Sequence, residues 1–503
     1  MHLTHFKTTN QLRKSGYKFT SIKDELRENL IQKLKTNEQI FPGIIGFEET
    51  VIPELQNAIL SKHDFILLGL RGQAKTKILR LLVNLLDEYI PIIKDCEIND
   101  HPYHPICHHC REKIAEHGED TEIEWIPRQQ RYSEKLATPD VSIADLFGDI
   151  DPIKAVNKRL HYAHEGAMHF GIIPRTNRGI FVINELPDLQ PRIQVGLLNI
   201  LEEKDLQIRG YPLRIPLDIL IAFSANPEDY TNRGRIITPL KDRIDSQIIT
   251  HYPLNINTGI EITEQEAWQF RNNGSSEIPL YIREIIEHVA DEARQSELID
   301  QKSGVSARLA ISSLENLISN AERRAFLQKE KNYHIRICDL QSIIPAITGK
   351  IELVYEGEQE GLINVAKTLL GKAIKSVFLK YFPVPDQKKS KSSQQSSEYD
   401  NILNWFSGQK IVTIDQQCSD SEYIKSLEAV TSLDTIVKKY FHSETNNSKI
   451  ELAIAKEFVL EGLHQYAFLS KHESNGKFTY KDLMETIFNS MPEDDENEYD
   501  FNS

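Results

Sequence analysis

The feature that most constrains this chain is a short apolar run followed by a glycine-containing turn, a Lys-Thr pair and a helical pattern. The run FILL at residues 65–68 is typical of a buried strand, and the run KILRLLVNLL at 77–86 directly follows the Lys-Thr pair and has one apolar face. A strand, a glycine turn and a helix opened by Lys-Thr form the context that a phosphate-binding loop requires. The candidate loop residues are Gly69, Leu70, Arg71, Gly72, Gln73, Ala74, Lys75 and Thr76.

Each residue type in this loop has a physical reason to be there. Gly69 and Gly72 permit a tight turn whose backbone N–H groups converge on phosphate oxygens. Lys75 would reach the β and γ phosphates, and Thr76 would ligate Mg²⁺ through its hydroxyl. Ala74 stands where glycine is usual before the lysine, and we expect its methyl group to be tolerated if φ stays negative. The alternative is an ordinary glycine turn that leads into a core helix.

Apolar runs and helical patterns alternate between residues 41 and 253. This alternation predicts a parallel sheet wrapped by helices, which is an α/β core. The strand-like runs are FILLGL at 65–70, IFVI at 180–183 and DILIAF at 218–223, and the helical stretches include 75–89 and 191–203.

The remaining segments differ from this core in composition. Residues 1–40 contain one amphipathic pattern and predict a helical lead-in, and helical patterns dominate residues 254–382. Residues 383–400 are rich in Ser, Gln and Lys and predict a flexible linker. Residues 401–490 predict another mostly helical domain, and residues 491–503 form an acidic tail.

Composition excludes several classes of protein. The chain has 503 residues, which exceeds what one hydrophobic core usually supports, and its 40% hydrophobic and 26% charged residues are ordinary for a folded protein. The net charge of −15 repels phosphate backbones, so we expect no direct nucleic-acid binding. The N-terminus lacks the apolar region of a signal peptide, and no apolar run approaches about eighteen residues. We therefore expect a cytoplasmic protein with no membrane segment.

Further landmarks follow the phosphate loop in a fixed order. They are GIIPRTNRGIFVINELPDL at 171–189, FSANP at 223–227, PLKDRI at 239–244 and SAR at 306–308. Together with Ala-Lys-Thr in the loop, this series resembles the MoxR and magnesium-chelatase branch of the AAA+ ATPases over roughly residues 41–350. The resemblance implies a P-loop three-layer αβα core with a parallel sheet, followed by an α-helical lid domain and a mostly helical C-terminal unit. It also implies ATP, Mg²⁺ and ATP hydrolysis.

The resemblance assigns roles to further residues. Glu185 matches the glutamate that polarises the attacking water, and Asn226 matches the sensor asparagine that helps to orient this water. Arg243 matches an arginine finger that is delivered to the neighbouring subunit's ATP, whereas Arg308 matches the lid residue that senses the γ-phosphate. Each arginine could instead form an ordinary surface ion pair.

The family's metal-holding aspartate is replaced by Asn184 in this chain. Asparagine keeps the size and an acceptor oxygen but loses the negative charge, so it should hold Mg²⁺ less strongly. We expect an ATPase with weak or partner-dependent turnover. The alternative is a nucleotide-binding switch that hardly hydrolyses ATP.

A segment rich in cysteine and histidine interrupts the core at about residues 91–130. Cys107 and Cys110 have the two-residue spacing that lets two thiolates bind one zinc ion from a tight turn. Cys96 or a histidine could complete a structural site, the candidate histidines being His101, His104, His108 and His109. The alternative is that these cysteines are small buried hydrophobic side chains.

The resemblance leaves the biological role open. It implies a homo-oligomeric ring, expected to be a hexamer, that remodels a client protein, which in MoxR systems often carries a von Willebrand A domain. A magnesium-chelatase subunit and a non-hydrolysing scaffold are alternatives. A third is an enhancer-type transcription activator, because GAMHFG at 166–171 superficially resembles that family's Gly-Ala-Phe-Thr-Gly-Ala loop. That loop lies further upstream in the activators, and its Thr is absent here.

Overall fold

A parallel sheet of five strands forms the centre of the N-terminal half of the chain. The computed structural model describes residues 3–157, 164–207, 214–227, 235–271, 278–385, 398–441 and 448–483. The chain divides into two units, Met1–Tyr252 and Pro253–Ser503. The sheet lies in the first unit and consists of β1 (Phe65–Leu68), β4 (Tyr132–Leu136), β7 (Gly179–Asn184), β10 (Ile219–Ala225) and β11 (Ser246–Ile249). Its strand order is β11-β1-β10-β7-β4.

Both faces of this sheet are buried, and alternate side chains on each strand point to opposite faces. On β1, Phe65 and Leu67 pack into one hydrophobic cluster, whereas Ile66 and Leu68 pack into another. The first cluster includes the helices Ile22–Thr36, Val51–Leu60 and Lys75–Leu81, and the second includes the helix Pro191–Glu202. The result is a helix layer on each side of the sheet, as the apolar runs predicted.

Smaller elements surround this core. The antiparallel pairs are β2 (Tyr89–Ile93) with β3 (Ile123–Pro127), β5 (Gly148–Ile150) with β6 (Met168–Phe170), and β8 (Asp205–Gln207) with β9 (Arg214–Pro216). The shorter helices are Thr9–Lys14, His108–His117, Ile143–Leu146, Pro152–Asn157, Ile172–Arg175 and Thr238–Arg243. The cysteine-rich segment therefore consists of the β2–β3 pair with the helix His108–His117 between its strands.

The predicted helical lead-in packs as part of the first unit's core. Ile22, Leu26 and Leu30 are buried beneath the sheet. From the same helix, Glu25 accepts two hydrogen bonds from the guanidinium of Arg131, at 2.7 and 2.6 Å. Both side chains are almost fully buried, with 7% and 1% of their surface exposed. Arg131 also donates to the carbonyl of Arg178, so one ion pair connects the N-terminal helix to the starts of β4 and β7.

The second unit is mostly helical and also contains a small antiparallel sheet. The sheet has the order β12-β14-β13, from β12 (Val412–Asp415), β13 (Leu469–Ser474) and β14 (Lys477–Asp482). The helices are Ile256–Glu266, Leu280–Gln295, Arg308–Gln328, Ile344–Thr348, Tyr355–Glu360, Leu362–Tyr381, Asp400–Phe406, Asp420–Glu428, Ser432–Tyr440 and Lys449–Gln465. A 3₁₀ helix spans Ile337–Ile343. The helical patterning of the sequence did not predict this sheet.

One hydrophobic cluster runs through the second unit, from Ala267 to Tyr480. The ring of Tyr281, in the predicted lid, stacks on Phe458, in the predicted C-terminal domain, with centroids 5.0 Å apart. Side chains of both segments thus form a single core. The boundary between lid and C-terminal domain stays a prediction, since most of the predicted linker and all of residues 491–503 lie outside the described residues.

No helix among the described residues is both long enough and apolar enough to cross a membrane.

The ion pair between Glu25 and Arg131 gives a stability prediction. Glu25→Ala should lower the free energy of unfolding of the first unit by about 3–5 kcal/mol, because Arg131 would remain as an uncompensated buried charge. Urea unfolding followed by the fluorescence of Trp125 measures this, in a background where Trp268 and Trp405 are replaced by Phe.

The matched control is Glu119→Ala, which breaks an ion pair between two exposed side chains, Glu119 and Arg13. This change should leave the unfolding midpoint unmoved. Equal unfolding midpoints for the two variants would contradict the prediction that the buried ion pair between Glu25 and Arg131 stabilises the first unit.

Candidate functional site

The candidate phosphate loop leaves the sheet at the carboxyl end of β1. Leu68 pairs with Ala225 on one side and with Ile249 on the other. The backbone N–H of Gly69 continues this pairing by donating to the carbonyl of Ala225 at 3.2 Å. The register therefore brings the ends of β1, β10 and β11 together at one edge. In an open parallel sheet this edge is where ligands bind.

Gly69 is required by a close approach of neighbouring side chains. A Cβ atom there would lie 1.9 Å from Oγ1 of Thr250 and 2.1 Å from Oε1 of Gln73. These two atoms are themselves joined, because the Thr250 hydroxyl donates to Gln73 at 2.7 Å. The hydroxyl of Tyr252 donates to the carbonyl of Arg71 at 2.9 Å. The loop is thus fixed against the residues that follow β11.

The expectation for the backbone of Ala74 is wrong. Its φ is +53°, in the left-handed region, whereas the sequence analysis required a negative value. Gly72 also has a positive φ, of 75°. An alanine in this region brings its Cβ close to the following carbonyl oxygen, at a cost of roughly 1–2 kcal/mol. The loop therefore holds a strained residue directly before the helix Lys75–Leu81, as often occurs at functional sites.

Lys75 lies at the centre of this edge. Only 7% of its surface is exposed, and its ammonium donates to the carbonyls of Gly69 and Leu70, the second at 2.9 Å. It also donates to Oδ1 of Asn226 at 2.9 Å. The structure thus brings the candidate phosphate-binding lysine and the candidate sensor together, although 151 positions separate them. An anionic phosphate oxygen would be a stronger partner for this ammonium than neutral carbonyls are.

The adjacent strand β7 delivers Asn184 and Glu185 to the same edge. Ile183 pairs with Phe223 of β10, so the two residues after it lie beside the end of β10. The Ser224 hydroxyl donates to Oδ1 of the buried Asn184 at 3.0 Å and accepts from the backbone N–H of Glu185 at 3.4 Å. Glu185 has a positive φ of 56°, so it is the second residue of the candidate site, after Ala74, with a strained backbone.

The two candidate arginines differ in their surroundings. Arg243 ends the helix Thr238–Arg243 and donates from Nε to Glu202 at 2.7 Å and from a terminal nitrogen to the carbonyl of Pro239 at 2.9 Å. Its side chain is 31% exposed. Within this chain it forms the surface ion pair that the sequence analysis gave as an alternative. Arg308 begins the helix Arg308–Gln328 of the second unit and is exposed.

The cysteine-rich segment forms a separate cluster. Cys96, Cys107 and Cys110 are buried together with Asp100, and the four candidate ligand atoms lie within 4.8 Å of one another. No histidine belongs to this group. Burial and the nearby Cys96 thiolate raise the pKa of the Asp100 carboxyl to about 6. Burial, with a contribution from the charge of Arg178, lowers the pKa of His101 to about 3, so His101 is neutral at pH 7.

Several residues at these sites were missed by the sequence analysis. Ser224 and Thr250 fix the ends of β10 and β11, but a lone hydroxyl residue beside an apolar run carries no signal of its own. Asp100 was overlooked because the cysteine spacing directed attention to the histidines around it. Only the fold, which brings Cys96, Cys107 and Cys110 around it, identifies Asp100 as a candidate ligand.

Comparisons with known proteins identify partial similarities. No protein-family model matches the chain. The hydrogenase transcriptional regulatory protein HoxA of Cupriavidus necator is 33% identical over 126 residues. That match covers 24% of this chain and 24% of HoxA, so the chain spans about a quarter of the length of this curated relative.

Two solved structures are also similar. NtrX from Brucella abortus is 14% identical, with a TM-score of 0.34, over 57% of this chain and 55% of its own. A complex of the magnesium-chelatase subunits BchI and BchD is 19% identical, with a TM-score of 0.33, over 64% of this chain and 98% of that chain.

The predicted fold class is confirmed. The chain has a three-layer αβα core with a parallel sheet and a glycine-containing turn after its first strand, followed by a mostly helical second unit.

The backbone of Ala74 predicts that a substitution by glycine stabilises the protein, whereas most substitutions destabilise. Ala74→Gly should raise the free energy of unfolding of the first unit by about 1 kcal/mol, because glycine has no Cβ to strain at φ +53°. Urea unfolding followed by Trp125 fluorescence measures the change.

The control is the same substitution at an exposed site inside a helix. Ala115→Gly, in the helix His108–His117, should lower the free energy of unfolding by about 1 kcal/mol. If Ala74→Gly is destabilising like its control, the positive φ at Ala74 is wrong.

Proposed function

We propose that this chain is an ATP-binding and ATP-hydrolysing AAA+ machine of the MoxR and magnesium-chelatase type, which works as a ring and remodels a partner protein. The observation that carries the proposal is the contact between Lys75 and Asn226 at the edge where β7 delivers Glu185. A phosphate-binding cation, a polar sensor and a carboxylate are the parts that hydrolysis of a phosphoanhydride requires.

Binding begins with the loop. The backbone N–H groups of residues 69–76 surround the β-phosphate, and the Lys75 ammonium moves from its carbonyl partners to the β and γ phosphate oxygens. Thr76 follows Lys75 in the same helix and would supply a hydroxyl to Mg²⁺. The chain thereby positions the triphosphate at the carboxyl edge of the sheet.

Hydrolysis then depends on charge placement rather than on covalent chemistry. Glu185 orients and polarises the attacking water, and Asn226 contacts the water or the γ-phosphate. Asn184 contributes no negative charge, and its Oδ1 already accepts from Ser224. Mg²⁺ would then be held mainly by Thr76, the phosphates and water, and such weak binding would favour slow turnover that a partner can accelerate.

Assembly completes the site. Arg243 reaches the γ-phosphate bound to the neighbouring subunit, after it exchanges Glu202 for that stronger anion. For Arg308, the resemblance implies a different role, which is to sense the γ-phosphate bound to its own subunit. In a closed ring, every subunit can supply Arg243 to the ATP of its neighbour. The ring size we propose is a hexamer.

The client is a partner protein, and one that carries a von Willebrand A domain is the candidate that the resemblance to MoxR systems favours. A second candidate function, an ATPase that activates transcription, is favoured by the partial identity to HoxA. A transcription assay with purified RNA polymerase separates the two, since a client-remodelling ATPase leaves open-complex formation unchanged.

Two variants separate binding from chemistry. Lys75→Ala should abolish ATP binding, because it removes the cation that contacts the phosphates. Glu185→Gln should bind ATP as tightly as the wild type but lose at least about 99% of turnover, because the residue acts on water and not on phosphate. Equilibrium binding of a fluorescent ATP analogue and phosphate release measure the two effects.

Glu203→Gln is the matched control, because it makes the same change at an exposed carboxylate directly after the helix Pro191–Glu202 and should leave turnover unchanged. Equal ATP binding by the wild type and Lys75→Ala would overturn the proposed nucleotide site. Binding without any hydrolysis in the wild type would instead support the non-hydrolysing scaffold.

The shared site gives a further prediction. Arg243→Ala should bind ATP normally and hydrolyse it about a thousandfold more slowly, because the transition state loses a neutralising charge. The control Glu202→Gln breaks the same ion pair but keeps the arginine, so its turnover should stay near the wild-type value. Equal losses in both variants would mean that Arg243 acts only through this ion pair.

Mixing two inactive variants tests whether the site is shared. In a mixed ring of Arg243→Ala and Lys75→Ala subunits, some interfaces combine the intact Lys75 of one with the intact Arg243 of the other. Part of the phosphate release should therefore return. A mixture that forms mixed rings and stays inactive would contradict the delivery of Arg243 to a neighbouring subunit.

A further inference from the structure

Three thiols and one carboxylate meet inside the segment between β2 and β3. Cys96 and Asp100 lie in the loop after β2, whereas Cys107 and Cys110 lie at the start of the helix His108–His117. Their ligand atoms all lie within 4.8 Å of one another. A tetrahedral zinc ion separates its sulfur ligands by about 3.8 Å, so a small contraction of this group would suit the ion.

The backbone around these side chains is arranged for anionic ligands. The N–H of Asp100 donates to Sγ of Cys96 at 3.2 Å, and the N–H of Cys110 donates to Sγ of Cys107 at 3.3 Å. One carboxylate oxygen of Asp100 accepts from the N–H groups of Ile106 and Cys107, at 3.0 and 2.9 Å. These bonds stabilise negative charge on two sulfurs and fix the orientation of the carboxylate.

The other carboxylate oxygen of Asp100 distinguishes a metal site from an ordinary hydrophobic core. Asp100 is fully buried, and its Oδ1 has no hydrogen-bond partner among the described residues. Three cysteines alone would be unremarkable, since they pack in one apolar cluster with Ile93 and Ile98. A buried carboxylate beside thiols, with no ion-pair partner in the described part of the chain, is costly unless a cation neutralises it.

We propose that Cys96, Asp100, Cys107 and Cys110 bind one zinc ion, with Oδ1 of Asp100 as the fourth ligand. Four protein ligands leave no open position, so the ion is structural rather than catalytic. It would connect the loop after β2 to the helix His108–His117. This loop also holds the segment before β7, because Asn177 donates to the carbonyl of Ile98 at 3.0 Å.

The histidines suggested by the sequence have other surroundings. Nδ1 of His101 accepts from the N–H of Tyr103 at 3.0 Å, and its ring packs edge-on against Phe19. His104 and His109 are exposed. The carboxylate therefore replaces histidine as the proposed fourth ligand.

Elemental analysis of the full chain tests metal binding. Protein purified without a metal-affinity tag from zinc-supplemented medium should hold about one equivalent of zinc, and Cys107→Ser and Cys110→Ser should lose it. The control Cys418→Ser alters a cysteine of the second unit and should keep the full equivalent. Less than about a tenth of an equivalent in the wild type, before and after incubation with added zinc, would overturn the proposal.

Variants of Asp100 test the fourth ligand. Asp100→Asn should weaken zinc binding at least about a hundredfold in competition with a chelator, a larger loss than outer-shell changes usually give. Asp100→Cys should restore it, because a thiolate also suits tetrahedral zinc. The control His101→Phe keeps the ring packing and should bind zinc like the wild type. Full affinity in Asp100→Asn, or loss in His101→Phe, would overturn the assignment of Asp100.

Cobalt substitution gives a readout that folding defects do not imitate. Wild-type protein loaded with Co²⁺ should show tetrahedral visible bands and thiolate charge-transfer absorption, and Asp100→Cys should increase the charge-transfer intensity because it adds a thiolate. A spectrum without thiolate charge transfer would contradict the proposed ligand set.

Discussion

The register between β1 and β10 is the constraint on which the rest of the candidate site depends. Because Leu68 lies opposite Ala225, Gly69 and Asn226 leave the sheet side by side, and the ammonium of Lys75 contacts both. A shift of one residue would turn every buried side chain of the strand to the other face. The packing of both sheet faces therefore also fixes the geometry of the phosphate loop.

This constraint is reinforced from both sides of the sheet. On one face, the N-terminal helix is held by the buried ion pair between Glu25 and Arg131, which also contacts the start of β7. On the other face, the cysteine-rich segment packs in the same cluster as Phe181 and Ile183 of β7. Since β7 ends at Asn184, directly before Glu185, segments remote in the sequence support the strand that positions the candidate catalytic carboxylate.

Much of this fold could be predicted from the sequence, and the reasons are physical. Buried parallel strands are continuous apolar runs, so β1, β7 and β10 were evident, and the Lys-Thr pair after β1 located the loop. The roles of Glu185, Asn226, Arg243 and Arg308 came from the family resemblance and stay predictions.

Other features could not be predicted, because they depend on contacts distant in sequence or on backbone conformation. The approach of Thr250 to Gly69 requires the register of β11, and the positive φ of Ala74 has no counterpart in residue type. Asp100 looks like any loop aspartate until the fold brings Cys96 and Cys107 around it. The small sheet β12–β14 was not predicted, because helical patterns dominate that part of the sequence.

The central claim is that the loop around Lys75 binds the phosphates of a nucleotide. Equilibrium titration of the full chain with ATP, ADP and AMP in the presence of Mg²⁺ tests it most directly. ATP and ADP should compete for one site per chain. AMP should bind at least about a hundredfold more weakly, because it lacks the β-phosphate that the loop and Lys75 bind. Binding of AMP as tight as that of ATP, or no saturable binding of ATP, would contradict the account.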